Sequence, residues 1–419
     1  MIEFRESVLK NGIKLVMNRK TEIPNVIVNS AFHVGSKDED PDKTGISHLL
    51  EHLMFSGSAN IPDGKFDEIL HANGGESNAF TTQDYTSYYL SVPSSKVELG
   101  MWLDSDRLAE FPVNEEGLEI QRKVVMEEKL QVHDNSPYGS LEYESAKRLF
   151  KSSGYRWQII GDEKHIASIT LDDIRKYYNK FYSPENMVLT IAGDIDYDET
   201  EKLAELYYGD IKNNDGKIER HYFDEDLKSD IEDEIEDNIS LPARFEFYRI
   251  PGIGSRDYYT SRLICVGLSS GESSKVYQEL IRKSNISTES FLMSQGMEFE
   301  SIFSFNCFLN EGKTLEDASK IMNTILFELA ENGLTETEIK KSINKVITSY
   351  YSKIQQSLRL ASSLSFYKMF FNDCSFINNE AEIFKQITNE EVKAFARKYL
   401  IENKRVVLNY VPKREVRND

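Results

Sequence analysis

Three residues in one short segment could hold and use a metal ion: His48, Glu51 and His52, in the order H-x-x-E-H. Residues four apart lie on the same face of a helix, so the two imidazoles can reach one ion. Glu51 lies beside that pair, where its carboxylate can take a proton from a water molecule at the metal. This order is the reverse of the commoner H-E-x-x-H motif. The spacing therefore predicts a catalytic zinc centre with Glu51 as general base.

The alternative interpretation of this segment is an amphipathic helix with two solvated histidines. Its neighbours argue against that alternative, because they make the helix largely apolar: Leu49, Leu50, Leu53, Met54 and Phe55. Polar groups in a mostly buried helix need partners, and a metal ion with its water supplies them for both histidines and the glutamate.

A catalytic zinc centre usually takes three protein ligands and leaves the fourth position for water. The remaining histidines are dispersed along the chain, and none repeats the spacing. A carboxylate from a distant helix is therefore the expected third ligand. Glu127 and Glu128 are the candidates, and spacing alone does not choose between them.

Composition limits the class of protein. A chain of 419 residues suggests about two domains. The net charge of −20 argues against a nucleic-acid partner, since phosphate binding needs a basic surface. There is no apolar run of the length that spans a membrane, and the acidic N-terminal segment does not resemble a secretory signal. The three cysteines are scattered, which favours reduced thiols in a cytoplasmic protein.

A helix–strand unit at 169–191 is repeated at 387–409. Thr170 and Thr388 are predicted helix N-caps at equivalent places in the two copies, each with an acid three residues later. A β-rich segment follows each predicted helix, at 187–191 and at 405–409. The repeat indicates an internal duplication, and the alternative is a coincidence of two common helix–strand units.

The predicted fold class is α+β: two related domains from an internal duplication, each an antiparallel sheet layered with helices. Residues 1–215 form the predicted metal-binding domain and residues 241–419 the related domain that lacks the motif. Residues 216–240 between them are acid-rich, and like charges at that density repel and stay solvated, so a linker is predicted. Segments 31–36 and 263–268 are matched as equivalent strands that end at a glycine.

The chain resembles the pitrilysin and mitochondrial-processing-peptidase family of inverted-motif zinc peptidases over essentially its full length, as a short two-domain member of bacterial type. The resemblance rests on the H-x-x-E-H segment and on residues 122–128. In that family the third ligand is a glutamate at a characteristic distance after the second histidine, and the same distance leads from His52 to Glu128 here. The family also has an auxiliary glutamate seven residues before this ligand. Gln121 stands there in this chain, and it keeps hydrogen bonding but lacks the charge.

The resemblance implies a zinc-dependent endopeptidase that hydrolyses peptides or unfolded segments inside an enclosed chamber. Asn78, Ala79 and Phe80 resemble the family's strand that pairs with the extended substrate, and the alternative is an ordinary core strand. Residues 181–193 resemble the strand that closes the first domain.

The second half of the chain departs from the family pattern. Members that act alone or as identical pairs carry an Arg and a Tyr seven residues apart, which hold the substrate carbonyl. Alignment puts Ile281 and Thr288 in those roles, and a shift of one residue puts Arg282 and Glu289 there. Either another Arg and Tyr of this chain substitute, or a related partner subunit supplies them. The second reading predicts the catalytic subunit of a heterodimer, with a homodimer as the alternative.

Two other functions compete with the peptidase. A metal-dependent lyase of the S-ribosylhomocysteine type also uses an H-x-x-E-H helix, but it is a short single-domain chain. A non-catalytic scaffold subunit, which the family provides in respiratory complexes, tends to lose its ligands. Here all the expected ligands and Glu51 are present, which favours an enzyme.

Overall fold

The computed structural model describes residues 1–109, 113–213 and 218–413. These residues form two compact units, and each unit is assembled from three segments of the chain. Unit 1 consists of Met1–Lys129, Trp157–His221 and Tyr351–Asn379. Unit 2 consists of Leu130–Arg156, Tyr222–Tyr350 and the described residues from Glu380 onwards.

Helices and strands come in runs along the chain. The strands are β1 Arg5–Val8, β2 Lys14–Arg19, β3 Asn25–Phe32, β4 Glu76–Thr81, β5 Thr86–Pro93, β6 Met187–Gly193, β7 Ile231–Asp237, β8 Ala243–Pro251, β9 Ser287–Gln295, β10 Glu300–Leu309 and β11 Arg405–Pro412. The α-helices are α1 Ile46–Leu53, α2 Lys65–Ala72, α3 Val97–Ala109, α4 Glu115–Lys129, α5 Leu141–Leu149, α6 Glu163–Ser168, α7 Leu171–Phe181, α8 Tyr197–Tyr208, α9 Arg256–Ser269, α10 Leu315–Asn332, α11 Glu336–Ile354, α12 Ser357–Phe371, α13 Phe376–Lys385 and α14 Asn389–Phe395. Short π-helical turns occupy Leu130–Asp134, Tyr277–Lys283 and Ala396–Glu402.

Unit 1 is built on a six-stranded sheet in the order β1-β2-β6-β3-β5-β4. All its neighbouring strands are antiparallel except β2 and β6, which run parallel. Alternate residues of β3 point to opposite faces, so Val26 and Val28 enter the main core while Ile27 packs with Ala361 of α12. Both faces of this sheet are therefore covered by helices.

Unit 2 repeats this plan with five strands in the order β7-β11-β8-β10-β9. Again a single neighbouring pair, β7 with β11, is parallel. One face packs against α9, α10 and α14, and the other packs against α5. The α+β class and the pair of related units are confirmed, although each sheet is mixed and not purely antiparallel.

The predicted repeat of 169–191 at 387–409 is confirmed at its helix starts. Thr170 and Thr388 each cap a helix in a reciprocal capping box, with Asp173 and Glu391 as the acidic partners. One predicted equivalence is wrong: residues 263–268 lie within α9, and the strand that corresponds to β3 is β8. A short apolar run has no periodicity that separates a buried helix from a buried strand.

The two units exchange segments of chain. Helix α12, from the second half of the chain, packs on β6, β3 and β2 of unit 1. Helix α5, from the first half, packs on β11 and β8 of unit 2. The units therefore differ from the contiguous ranges 1–215 and 241–419 expected from the sequence. Each sheet has a second face, and a distant segment of chain covers it. In unit 1 this contact combines Ile27 packed on Ala361 with hydrogen bonds between Ser365 of α12 and both Asn29 and Thr190.

The prediction of an acid-rich linker at 216–240 is wrong for part of that range, because residues 231–237 form β7. Alternate residues of β7 are half-buried, with Ile231 and Ile235 packed against the core of unit 2. Two of its acids form ion pairs, Asp233 with Arg148 at 2.6 Å and Glu232 with Arg244 at 2.7 Å. Residues 216 and 217 of the predicted linker lie outside the described residues. No helix in the described part of the chain is long and apolar enough to cross a membrane.

Candidate metal centre

Helix α1 carries the motif, and buried polar groups determine where it begins. Gly45 is its N-cap in the left-handed conformation, with φ 90°. A side chain is excluded there, since a Cβ would lie 2.6 Å from the carbonyl oxygen of Ile160. The buried carboxylate of Glu39 accepts hydrogen bonds from the N–H groups of Gly45 at 2.8 Å and Ser47 at 2.9 Å. Glu39 thus satisfies N–H groups that the helix itself leaves unpaired.

Helix α4 brings the third candidate ligand to the same place. Leu118 and Val125 are fully buried on its core face. Arg122 donates a hydrogen bond of 3.0 Å from Nε to the carbonyl oxygen of Ile166, which ties the helix to the segment before α7. Glu128, in the last turn of α4, is thereby held next to α1.

The structure brings His48, His52 and Glu128 together. One ligand atom from each lies within 4.8 Å of the others. Glu128 Oε2 is 3.8 Å from His48 Nε2 and 3.4 Å from His52 Nε2. The side chains are 13 %, 23 % and 38 % exposed, respectively, so the cluster is open to water on one side. No other cluster of three such groups is found within the described residues.

These distances fit a shared zinc ion. Ligand atoms about 2.0 to 2.1 Å from a tetrahedral zinc are about 3.3 to 3.4 Å from one another. The separations of 3.4 and 3.8 Å are close to that value and too long for good hydrogen bonds. Two imidazole nitrogens and one carboxylate oxygen are also a donor set that zinc prefers in catalytic sites.

Glu51 shares helix α1 with His48 and His52 and is buried, with only 9 % of the residue exposed. Its Oε2 accepts a hydrogen bond of 2.6 Å from Thr81 Oγ1. Burial raises the pKa of Glu51 to about 7; the negative charge of Glu128 acts in the same direction, and the Thr81 hydrogen bond opposes both. A carboxyl group in this position can exchange a proton near neutral pH.

Asn78, Ala79 and Phe80 lie on β4, the strand at one edge of the unit 1 sheet. Asn78 is exposed and the other two are half-buried. Among the strands in the described part of the chain, β4 pairs with β5 alone, so its other edge can accept a further strand. Gln121 lies on α4 and donates a hydrogen bond of 3.3 Å to Ser56 Oγ.

The residues aligned with the family's Arg and Tyr lie in unit 2. Ile281 is half-buried in the π-helical turn Tyr277–Lys283, and Thr288 is exposed at the start of β9. Arg282 and Glu289, the shifted pair, are exposed as well. Neither pair combines a guanidinium with a phenol.

Two residues of the site escaped the sequence analysis. Thr81 could have been suspected because it ends the segment 78–81 that resembles the family's substrate-pairing strand, but nothing local links it to Glu51, which lies 30 residues earlier. Glu39 precedes α1 by seven residues, too far for the usual N-cap pattern. Both contacts are set by the tertiary fold.

Family models match two parts of the chain. Residues 14–157 match the model described as "Insulinase (Peptidase family M16)". Residues 168–346 match the model described as "Peptidase M16 inactive domain". The first match contains the three candidate ligands and Glu51. The second covers most of the half that lacks the motif, and the sequence after His221 contains no histidine at all.

Individual proteins resemble this chain over most of their length. The zinc protease PqqE of Helicobacter pylori is 27 % identical over 365 residues, which is 86 % of this chain and 82 % of that protein. A crystal structure of a protease from Helicobacter pylori has a TM-score of 0.93 at 24 % identity and covers 98 % of this chain and 100 % of its own. The peptidase M16 inactive domain from Pseudomonas fluorescens has a TM-score of 0.90 at 18 % identity and covers 99 % and 98 %. The two structures show that the fold is shared.

Proposed function

The chain belongs to peptidase family M16, and we propose that it is a zinc-dependent endopeptidase that hydrolyses peptides or unfolded segments. The observation that carries this proposal is the buried Glu51 carboxylate, which shares helix α1 with His48 and His52 and lies near enough to Glu128 for that charge to raise its pKa. A structural zinc site would have no need of a neighbouring proton acceptor, because its protein ligands fill all four positions.

The proposed mechanism gives each residue a separate task. His48, His52 and Glu128 would hold zinc, which supplies Lewis acidity to polarise the scissile carbonyl and to acidify water. Glu51 accepts the proton of the attacking water on its carboxylate. It then donates that proton to the leaving amine, which completes the hydrolysis with no net change in the enzyme.

Strand β4 would position the substrate. Its open edge favours an extended peptide that adds as a further strand along Asn78, Ala79 and Phe80. Backbone pairing recognises any extended chain, whatever its side chains. This mode suits peptides and unfolded segments and excludes folded proteins, whose backbone is already paired.

A non-catalytic scaffold subunit is the second candidate function. The match of the second half to a model named for an inactive domain favours it. The complete ligand set in unit 1 favours the peptidase. The lyase needs a short single-domain chain, which differs from this duplicated architecture. Zinc content separates the two candidates, since a scaffold has no need to retain the metal.

Substitution of Glu51 by Gln tests the proposal. We expect Glu51→Gln to bind about one zinc per chain, like the wild type, and to lose hydrolysis of unstructured peptides by at least about 100-fold, because the proton acceptor is removed and the ligands remain. Metal analysis and a peptide-cleavage assay measure the two effects. Near wild-type turnover would exclude Glu51 as the base, and a wild type without bound zinc would favour the scaffold.

A further inference from the structure

We infer that Thr81 is a positioning residue that holds the Glu51 carboxylate through Oε2 and so assigns Oε1 as the atom that accepts the proton. The inference rests on the proposed function for the role of Glu51. The contact itself is a feature of unit 1 and connects two elements far apart in the sequence. Thr81 is the last residue of β4, and Glu51 lies in α1.

The hydrogen bond between them is short and directional. Thr81 Oγ1 donates to Glu51 Oε2 over 2.6 Å, which falls within the range of hydroxyl-to-carboxylate hydrogen bonds. Glu51 is buried, so water competes little for this oxygen. Such a bond in a poorly hydrated site is stronger than the same bond at the surface.

The single hydroxyl proton of Thr81 is not shared with the neighbouring strand. A threonine hydroxyl has one proton to donate. Thr86 lies opposite Thr81, with their Oγ1 atoms 3.4 Å apart, but the Thr86 hydroxyl donates to the carbonyl oxygen of Val34 over 2.9 Å. The much shorter contact of Thr81 is the one to Glu51, and its proton is therefore committed to that carboxylate.

The two carboxylate oxygens of Glu51 thereby become different. The last torsion of a glutamate side chain is broad, so a carboxylate without a fixed partner rotates and exchanges its oxygens. The Thr81 bond opposes that rotation and occupies Oε2. Oε1 is then the oxygen assigned to the proton, held in a fixed direction.

The position of Thr81 also connects base and substrate. It directly follows Asn78, Ala79 and Phe80, the residues proposed to pair with the peptide backbone. A bound peptide would restrain the same strand that orients the base. Loss of the Thr81 hydroxyl should therefore lower kcat, whereas the pairing that sets KM remains.

Three variants test this role. Thr81→Val keeps the β-branched shape that suits a strand and removes the donor. We expect kcat to fall about 10- to 100-fold, the range for a misoriented catalytic group, with KM within about twofold and the zinc content of the wild type. Thr81→Ser restores the donor and should recover kcat to within about threefold.

Ser77→Ala is the matched control. Ser77 lies four residues before Thr81 on the same face of β4, and its hydroxyl donates a hydrogen bond to Asp67. Thr81→Ala replaces the valine variant if the latter does not fold.

Crystal structures of the same variants give a readout that is independent of turnover. We expect the Glu51 carboxylate plane to be rotated or divided between orientations in Thr81→Val, and restored in Thr81→Ser. The inference is overturned if the Glu51 carboxylate or kcat is unchanged in Thr81→Val. It is also overturned if Thr81→Val and Thr81→Ser lose kcat equally. If the wild type shows no zinc-dependent hydrolysis, the proposed function fails, and the carboxylate orientation alone decides the role of Thr81.

Discussion

Two adjacent glutamates at the end of α4 occupy different environments. Glu128 points at the two histidines, with Oε2 3.4 Å from His52 Nε2. Glu127 is exposed and does not belong to the cluster. Neighbouring positions on a helix are about 100° apart around its axis, so they cannot both face α1. One of the pair can be a ligand, and the other serves as its control.

We expect Glu128→Gln to lower zinc affinity by more than about 100-fold. An amide binds zinc poorly, and even changes in residues behind the ligands cost about 10- to 100-fold. Glu127→Gln should keep the affinity of the wild type, although it removes the same charge one residue away. Competition with a coloured chelator measures both affinities. Equal losses in the two variants, or full occupancy in Glu128→Gln, would contradict the assignment of Glu128.

Helix α7 precedes β6 and helix α14 precedes β11, the last strand of each repeat. Both helices begin with a capping box. In α7 the N–H of Thr170 donates to Asp173 over 2.8 Å, and in α14 the N–H of Thr388 donates to Glu391 over 2.7 Å. Burial alone would raise the pKa of Asp173, but hydrogen bonds from Thr170 and Lys43 lower it to about 2. The hydrogen bond from Arg256 and those from Thr388 lower the pKa of Glu391 to about 2.

The lowered pKa values of Asp173 and Glu391 predict that the free energy of unfolding depends on pH. Their pKa values are lower in the folded chain than the ordinary values near 4, so their contribution is present above about pH 5 and is lost as the pH falls towards 2. We expect Asp173→Asn and Glu391→Gln each to cost about 1 kcal/mol of unfolding free energy at pH 7, the usual value of an N-terminal cap. The cost should shrink at pH 3, where these acids are largely protonated in the unfolded chain but still mostly ionised in the folded one.

Urea denaturation at pH 7 and pH 3 measures these differences between variant and wild type. Asp172→Asn and Glu390→Gln are the controls, since each changes the acid next to the capping acid without touching the cap. A cost that is the same at both pH values would show that the hydrogen bonds matter and the ionisation does not.

The molecule as a whole has two copies of one plan but a single metal cluster among its described residues. The second copy has lost the metal motif. The alignment places Ile281 and Thr288, or Arg282 and Glu289 after a shift of one residue, where the family resemblance leads us to expect the Arg and Tyr that hold the substrate carbonyl. We propose that a related partner subunit supplies them.

We expect the chain alone to be a weak peptidase and to gain about 100- to 1000-fold in kcat with that partner, the range for a donor to the developing oxyanion. The assay compares the chain alone, the partner alone and their mixture on unstructured peptides. A mixture that contains Glu51→Gln should stay inactive, which would place the reacting site in this chain. If the chain alone turns over as fast as the mixture, the Arg and Tyr roles are filled internally or by a second copy.

Features that depend on neighbours along the chain could be predicted from the amino-acid sequence. The one-turn spacing of His48 and His52 on a single helix and the capping boxes at Thr170 and Thr388 are local, because contacts between residues three and four apart follow from helix geometry. The family resemblance added Glu128, which spacing alone left open beside Glu127.

The meeting of distant groups, in contrast, is a property of the tertiary fold. Thr81 reaches Glu51 because β4 packs beside α1, and Glu39 reaches the start of α1 through a loop. The acid-rich segment became β7 because β11 offered a strand edge and Arg148 offered a counter-charge. Likewise α5 and α12 joined the unit opposite to their half of the chain, because each sheet had a second face for a distant segment to cover. These outcomes depend on burial and on pairing across the fold, and no pattern within a short window of sequence contains them.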